Sequence, residues 1–225
     1  MAPGRGRRGA APVQILLVLV VLVLLVVVVP RLRSGPAPSA GGPSDGPSDG
    51  PSAASTWELA YGPGPQRDYV VHPSRPRGSC HYRYREAKPL PDPACTPGAL
   101  NPEVSQATIG RTICSSGYSP RVRPPRGITD REKADSARAY GYTGPFRTAE
   151  YDHLVPLGLG GDPNDDRNLW LEPNDVPGAD TNANSKDDVE DRLHDAVCDG
   201  RVDLAAAQRA IATDWTTAPA AVGLP

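Results

Sequence analysis

The sequence is poor in the residues that usually fill a protein core. Aromatic residues make up 5% of the 225 residues and there is a single Phe, whereas Pro and Gly number 27 and 23. Large apolar side chains are also scarce in residues 31–65, while residues 1–30 hold a large share of the Val and Leu. Roughly 150 residues therefore remain to fold, which suffices for one modest domain and excludes a large multi-domain enzyme.

Charges of the two signs are unevenly distributed along the chain. Residues 1–33 contain five Arg and no acidic residue. Residues 72–138 carry 12 basic and 6 acidic residues, whereas residues 147–225 carry 6 basic and 16 acidic residues. This distribution excludes a uniformly basic coat for nucleic acid. It is compatible with a basic face beside an acidic, metal-binding part.

The N-terminal apolar run predicts a membrane anchor. Ile15 to Val29 is an unbroken run of Ile, Leu and Val that follows three Arg, and it is near the lower length limit for crossing a bilayer core of about 30 Å. We expect residues 1–14 to form a basic cytoplasmic N-terminus and residues 15–30 a single-pass transmembrane helix. A cleaved signal peptide is the alternative. Either segment places the rest of the chain outside the cytoplasm, at the cell membrane or secreted.

Residues 31–68 have the composition of a linker rich in Pro, Gly and Ser. The tetrapeptide Gly-Pro-Ser-Asp begins at position 42, repeats at 46 and starts again at 50. Because such residues cannot bury enough surface to offset backbone ordering, we expect an extended tether. The folded domain is expected to occupy residues 69–225.

The four cysteines all lie in the part of the chain that is expected to be exported. An even number in an oxidising compartment favours two disulfides, and four cysteines allow three connectivities. We favour Cys80–Cys95 and Cys114–Cys198. A zinc site is the competing interpretation, but there is no Cys-x-x-Cys pair of the kind that zinc ribbons use.

Residues 147–198 predict an α+β arrangement. An apolar-rich strand at residues 151–157, a Gly- and Asp-rich turn and a second strand at residues 168–171 predict a hairpin. A helix is expected to begin at Ser185, with Val189, Leu193 and Val197 on one face and Gly200 at its end. Flanking helices are predicted at residues 129–140, from a capping box, and after Asp203.

These residues carry a recognisable motif. Asp152-His153-x-x-Pro-x-x-x-Gly-Gly, then Asn168-Leu, then Asn184-x-Lys186 at a helix start resembles the HNH endonuclease family, which has a ββα-metal finger. The flanking segments resemble an exported bacterial subgroup of that family. Many HNH fingers contain two Cys-x-x-Cys zinc pairs. This chain has none, so disulfides and flanking helices would have to brace the finger.

The resemblance implies a role for each matching residue. His153 would be the general base that accepts a proton from the attacking water, and Asp152 the adjacent metal ligand. Asn168 would tie the hairpin together and keep the histidine oriented. Asn184 would be the second metal ligand, with Asn182 as the alternative, and Lys186 would bind phosphate.

The chemistry of phosphodiester hydrolysis explains these residue types. Histidine, whose ordinary pKa is about 6.5, is suited to deprotonating water at neutral pH. Oxygen ligands favour a hard divalent cation, Mg²⁺ with Mn²⁺ as the alternative, over zinc. A helix N-terminus beside the site would add positive potential for phosphate.

The sequence therefore predicts a metal-dependent endonuclease that acts on nucleic acid, and the resemblance favours DNA over RNA. Tyr82 and Tyr84, interleaved with Arg83 and Arg85, are a candidate nucleic-acid track; a solvated surface is the equal alternative. The competing hypothesis is a catalytically inactive envelope module that keeps the HNH fold for binding. Apart from the membrane and nucleic acid, the sequence indicates no partner.

Overall fold

The structure is a computed structural model that describes residues 58–225. The predicted N-terminus, the predicted anchor at residues 15–30 and most of the predicted linker lie outside the described residues. Within residues 58–225, no helix has the length and apolar character needed to cross a bilayer.

The described chain has an α+β fold with short strands and five helices. The strands are β1 (Ala60–Tyr61), β2 (Arg83–Arg85), β3 (Lys88–Leu90), β4 (Ala99–Leu100), β5 (Ala149–His153) and β6 (Leu169–Pro173). The helices are α1 (Tyr118–Val122), α2 (Arg126–Ala139), α3 (Lys186–Cys198), α4 (Leu204–Asp214) and α5 (Ala218–Ala221). Among the described residues these strands form three separate pairs: β1 with β4 in parallel, and β2 with β3 and β5 with β6 antiparallel.

The β5–β6 hairpin and helix α3 carry the residues of the motif at positions 152–186. The register of the hairpin places Asp152 opposite Trp170 and His153 opposite Leu169. Helix α3 follows the hairpin and buries Leu193 and Val197, as the spacing of its apolar residues predicts.

The main core lies where helices α3 and α4 pack against the loops around the hairpin. Leu193, Val197, Ile211 and Trp215 are fully buried there. Trp215 lies in a 3₁₀ turn after α4, and its indole N–H donates to the carbonyl oxygen of Pro89 at 2.8 Å. This bond satisfies the one polar atom of the side chain, so Trp215 serves as a core residue.

Two disulfides brace the domain. Cys80 bonds to Cys95 and Cys114 bonds to Cys198, which is the pairing favoured from the sequence. The first is a local link over 15 residues, and the second joins the segment before α1 to the end of α3 across 84 residues. Because it closes the longer loop, the second link restricts the unfolded chain more.

Some boundaries differ from those predicted. Helix α2 begins at Arg126, after Pro125, so Thr129 lies inside the helix and forms no capping box with Glu132, whose carboxylate accepts the backbone N–H of His72 instead. Strand β5 begins two residues before the predicted strand and ends at His153. The folded part also includes residues predicted as linker, since β1 pairs with β4 and Leu59 is buried.

Candidate functional site

The two faces of strand β5 lie in different chemical surroundings. Successive side chains of a strand point to opposite faces, so Asp152 and His153 face different surroundings. On the face of His153, Ala149 and Leu171 pack with Ala137 of helix α2. On the other face, the carboxylate of Asp152 meets Lys186 at the start of helix α3.

The imidazole ring of His153 is neutral, and one of its two nitrogens forms a hydrogen bond. Its Nε2 lies 3.0 Å from the carbonyl oxygen of Pro163. A carbonyl oxygen only accepts, so Nε2 carries the hydrogen and Nδ1 keeps a lone pair. Burial lowers the pKa of His153 to about 4, although the charge of Asp152 opposes that shift. At neutral pH the ring is therefore able to accept a proton at Nδ1.

His153 lies at the floor of a basic cleft. The side chain is only 4% exposed, and the cleft above it has a volume of about 420 Å³. Four basic side chains line it, together with a smaller number of acidic ones: Arg123, Arg126, Lys133 and Arg147, with Asp130 and Glu150. A phosphate group in this cleft would lie close to several positive charges.

Asn168 fixes the turn that follows strand β5. Its side-chain nitrogen donates to the carbonyl oxygens of Val155 and Asp162, both at 3.0 Å, and its oxygen accepts the N–H of Val155 at 3.0 Å. Gly161 is required in this turn because a Cβ atom there would lie 1.8 Å from the carbonyl oxygen of Val155. The structural tie implied for Asn168 by the family resemblance is therefore geometrically present.

Asp152 is part of a buried ion pair. The Nζ atom of Lys186 lies 2.7 Å from the carboxylate of Asp152 and 2.9 Å from the carbonyl oxygen of His153, and it also contacts Glu190. Burial opposes the ionisation of Asp152, but Lys186 outweighs it and keeps the pKa of Asp152 below its ordinary value. Lys186 is fully buried, so the expectation that it binds phosphate is not retained.

Two further acids complete this buried cluster, and sequence reasoning missed both. Both side-chain oxygens of Glu172 are buried without a hydrogen-bond partner, and burial together with the charge of Asp152 raises its pKa well above the ordinary value. Burial likewise raises the pKa of Glu190 to about 8, although Lys186 opposes that shift. In the sequence, only the i,i+4 spacing of Lys186 and Glu190 on helix α3 could have indicated that the two side chains are in contact.

Asn184 and Asn182 both meet Glu150. The side-chain nitrogen of Asn184 lies 3.4 Å from Glu150, and that of Asn182 donates to the same carboxylate oxygen. The Oδ1 atom of Asn184 is buried without a partner. The orphaned oxygens of Asn184 and Glu172 fit a hard divalent cation in type. Beside Asp152 itself, however, Lys186 supplies the positive charge, so a cation there requires its ammonium group to move.

One cluster of Cys and His in residues 58–225 has the spacing of a metal site. It consists of Cys114, His194 and Cys198, and the Nε2 atom of His194 lies 3.4 Å from the Sγ atom of Cys198. Both sulfur atoms are joined in a disulfide, whereas metal binding requires thiolates. In this oxidised form the cluster is therefore a structural link.

The predicted track around Tyr82 is only partly available for nucleic acid. Tyr82 donates to the carbonyl oxygen of Leu171 at 2.8 Å and stacks on Tyr140 at 4.6 Å between ring centroids. Tyr84 remains 61% exposed, whereas Arg85 pairs with Asp214. Only Tyr84 thus retains a ring that is free to stack on a base.

Comparisons with protein-family models, with curated proteins and with solved structures found no match. A fold alone does not determine a function, so the function has to be inferred from the site. The site combines a proton acceptor, His153, with a cleft that attracts anions and with a buried group of acidic side chains on the opposite face of the strand.

Proposed function

We propose that this protein is a metal-dependent endonuclease that hydrolyses phosphodiester bonds in nucleic acid. In this proposal strands β5 and β6 and helix α3 form an HNH-type ββα-metal finger. The observation that carries it is the state of His153: its Nε2–H is bound to the carbonyl oxygen of Pro163, its Nδ1 has no hydrogen-bond partner among residues 58–225, and its ring lines a cleft with four basic side chains. That combination suits proton abstraction next to a bound phosphate.

His153 would act through Nδ1. A water molecule at the floor of the cleft would give up its proton to that nitrogen while it attacks phosphorus. At neutral pH the ring requires no prior deprotonation, but the pKa of about 4 that burial imposes makes it a weaker base than an ordinary histidine. Arg123 and Arg126, both exposed at the cleft, would hold the phosphate oxygens and stabilise their growing charge.

The proposed cation would be held by Asp152, with Asn184 as a second oxygen ligand. Mg²⁺ is the expected ion and Mn²⁺ the alternative. Asp152 points to the face of strand β5 opposite His153, so such an ion would supply positive charge at the leaving oxygen only when that face opens to the cleft. Lys186, whose Nζ lies 2.7 Å from Asp152, would have to withdraw from that carboxylate.

The proposed substrate is DNA rather than RNA, a preference that comes from the family resemblance. The proposed location is outside the cytoplasm, tethered to the membrane by residues 15–30, or secreted if these are cleaved. The net negative charge of residues 147–225 opposes tight nonspecific binding at physiological salt. We therefore expect turnover on long nucleic acid rather than stable coating of it.

The test compares the wild-type full chain with the His153→Ala variant. The oxidised proteins are incubated with plasmid DNA or with RNA, in the presence of Mg²⁺, Mn²⁺ or a chelator. We expect metal-dependent cutting by the wild type and a rate lower by roughly 10²–10⁴-fold in the variant, because a general base is removed. His81→Ala is the matched control, since His81 is exposed and lies outside the cleft. Equal rates in wild type and His153→Ala would remove His153 from the mechanism.

A catalytically inactive binding module is the second candidate function. Two observations favour it: Asp152 is already neutralised by Lys186, and His153 is only 4% exposed. The same basic cleft would then bind an anionic partner without cutting it. Binding of DNA by the wild type, with no cutting under any metal condition, would support this function over the nuclease.

A further inference from the structure

The acceptor that orients His153 belongs to a turn that distant segments hold in place. The carbonyl group of Pro163 and the N–H group of Asn164 form one planar peptide unit. The carbonyl oxygen accepts from Nε2 of His153, and the N–H donates to Asp162 at 3.0 Å. Any contact that fixes Asn164 therefore also fixes the direction of the Pro163 carbonyl.

One set of these contacts comes from His72. Its Nε2–H donates to the carbonyl oxygen of Asn164, so this hydrogen bond directly fixes the far side of the same turn. The carbonyl oxygen only accepts, so Nε2 carries the hydrogen; the side-chain nitrogen of Asn164, 3.2 Å from the same Nε2, is then a contact and not a second hydrogen bond. His72 lies 92 residues before Asn164 in the chain, so only the folded domain brings them together.

Glu132 of helix α2 holds His72 and Asn164 together. One of its carboxylate oxygens accepts the backbone N–H of His72 at 3.1 Å and lies 3.4 Å from the side-chain nitrogen of Asn164. Glu132 is 3% exposed; both donors reach the same oxygen, whereas Oε2 is buried without a partner, so they compensate for only part of its lost hydration. The three residues form one polar connection from helix α2 to the turn.

We infer that His72 and Glu132 are positioning residues for His153. They act through Asn164 and the Pro163 carbonyl, and neither lines the cleft that contains His153. The inference rests on the proposed function for its catalytic part, since it concerns the orientation of the proposed base. Displacing the turn would leave the Nε2–H of His153 without its acceptor and change the aim of Nδ1. A displacement of about 1 Å in a reacting group can lower a rate by about 10²-fold.

A purely structural contribution is the competing explanation, and conservative variants separate the two. His72→Gln keeps a side-chain N–H donor for the Asn164 carbonyl, whereas His72→Ala removes it. Glu132→Gln keeps an acceptor oxygen for the N–H of His72 but removes the negative charge that strengthens this bond, so it is a partial disruption and not a rescue. The matched control is His81→Ala, an exposed histidine that leaves the turn untouched.

The experiment measures kcat and KM for cutting of plasmid DNA by the full chain, and the NMR resonance of the His153 Nε2–H. For His72→Ala we expect kcat lower by about 10–10²-fold with KM within about twofold, and a shifted or broadened resonance. His72→Gln should restore most of both signals. Because His72→Ala removes a partner of buried groups, Glu132→Gln repeats the test, with the same changes expected to a smaller degree.

Three results would overturn the inference. The first is an unchanged kcat and resonance in both His72→Ala and Glu132→Gln. The second is a raised KM with kcat intact, which would make His72 a substrate contact. The third is a lowered kcat with the resonance unmoved.

If the wild type does not cut any substrate, the proposed function fails separately. The resonance alone then decides whether His72 and Glu132 orient His153.

Discussion

The two faces of strand β5 treat neighbouring ionisable residues in opposite ways. On one face His153 is buried and its ring donates to a single backbone carbonyl oxygen. The charge of the adjacent Asp152 reverses only part of the pKa decrease that burial causes. On the other face Asp152 is also buried, but Lys186 contacts it directly. His153 is therefore neutral and Asp152 charged, although both lose their hydration.

This difference shows that burial alone does not decide protonation. Contact with an opposite charge opposes the loss of charge on burial; it prevails for Asp152 but not for Glu190, whose pKa is raised to about 8 although it also contacts Lys186. The Asp152 face holds three carboxylates around one ammonium group, and there Glu172 has no hydrogen-bond partner and a raised pKa. The His153 face is open to a basic cleft. Because side chains of a strand point alternately to its two faces, the candidate base and the candidate cation site lie on opposite faces of strand β5.

The largest expected effect comes from removing the ammonium group on the Asp152 face. Lys186→Met would leave the charge of Asp152 buried and unpaired, which costs about 3–5 kcal/mol of unfolding free energy. Urea denaturation followed by tryptophan fluorescence measures the decrease. The double variant Asp152→Asn/Lys186→Met is the matched control and should recover part of it. A decrease in Lys186→Met below about 1 kcal/mol would show that the pair is as weak as a surface ion pair.

The next effect concerns the His153 face and is a dependence of stability on pH. The pKa of His153 is about 4 in the folded protein and about 6.5 in an unfolded chain. Between these values only the unfolded state takes up the proton, so stability is fully present above pH 6.5 and falls as the pH is lowered towards 4. The decrease is at most about 3 kcal/mol.

Comparison with His153→Gln isolates this contribution from other titrating groups. The unfolding free energy of both proteins is measured from pH 4 to pH 7. The difference between the two should grow with pH across this window and level off above about pH 6.5. A difference that does not vary with pH would mean that the two states bind the His153 proton equally.

The smallest expected effect on stability comes from the basic residues of the cleft. Arg123→Gln and Arg126→Gln alter exposed side chains, so the unfolding free energy should change by about 0.5 kcal/mol or less. Binding to DNA should weaken, and the slope of log K against log salt should become shallower by about 1 for each phosphate that is no longer neutralised. Arg77→Gln, an exposed arginine outside the cleft, is the control. Equal slopes in all three variants would place the nucleic-acid surface elsewhere.

Local patterns in the sequence predicted much of the β5–β6 hairpin and helix α3. The hairpin followed from its strands and Gly-Gly turn, and helix α3 followed from its apolar face. The Cys114–Cys198 disulfide followed from an expected link between the start of the core and the late helix. The hairpin and the helix depend on neighbouring residues or on periodicity, whereas the disulfide joins residues 84 apart and was favoured among three connectivities that the sequence left open.

The surroundings of the site required the fold itself. Glu132 was interpreted as a helix cap, but it binds His72, 60 residues earlier in the chain. Lys186 was expected at a phosphate, yet the packing of helix α3 buries it against Asp152. The sequence did not indicate a role for Glu172, because its raised pKa depends on burial and on the charge of Asp152. Contacts of this kind are set by long-range packing, which single-sequence patterns do not encode.

The most direct test of the account is the pKa of His153, measured by NMR titration of its ring protons in the oxidised full chain. We expect a value of about 4, because the ring is buried with only partial compensation from Asp152. A pKa at or above the ordinary value of about 6.5 would mean that His153 is solvated or paired with an acid, and it would contradict a ring that is buried with a single backbone acceptor at the floor of the cleft.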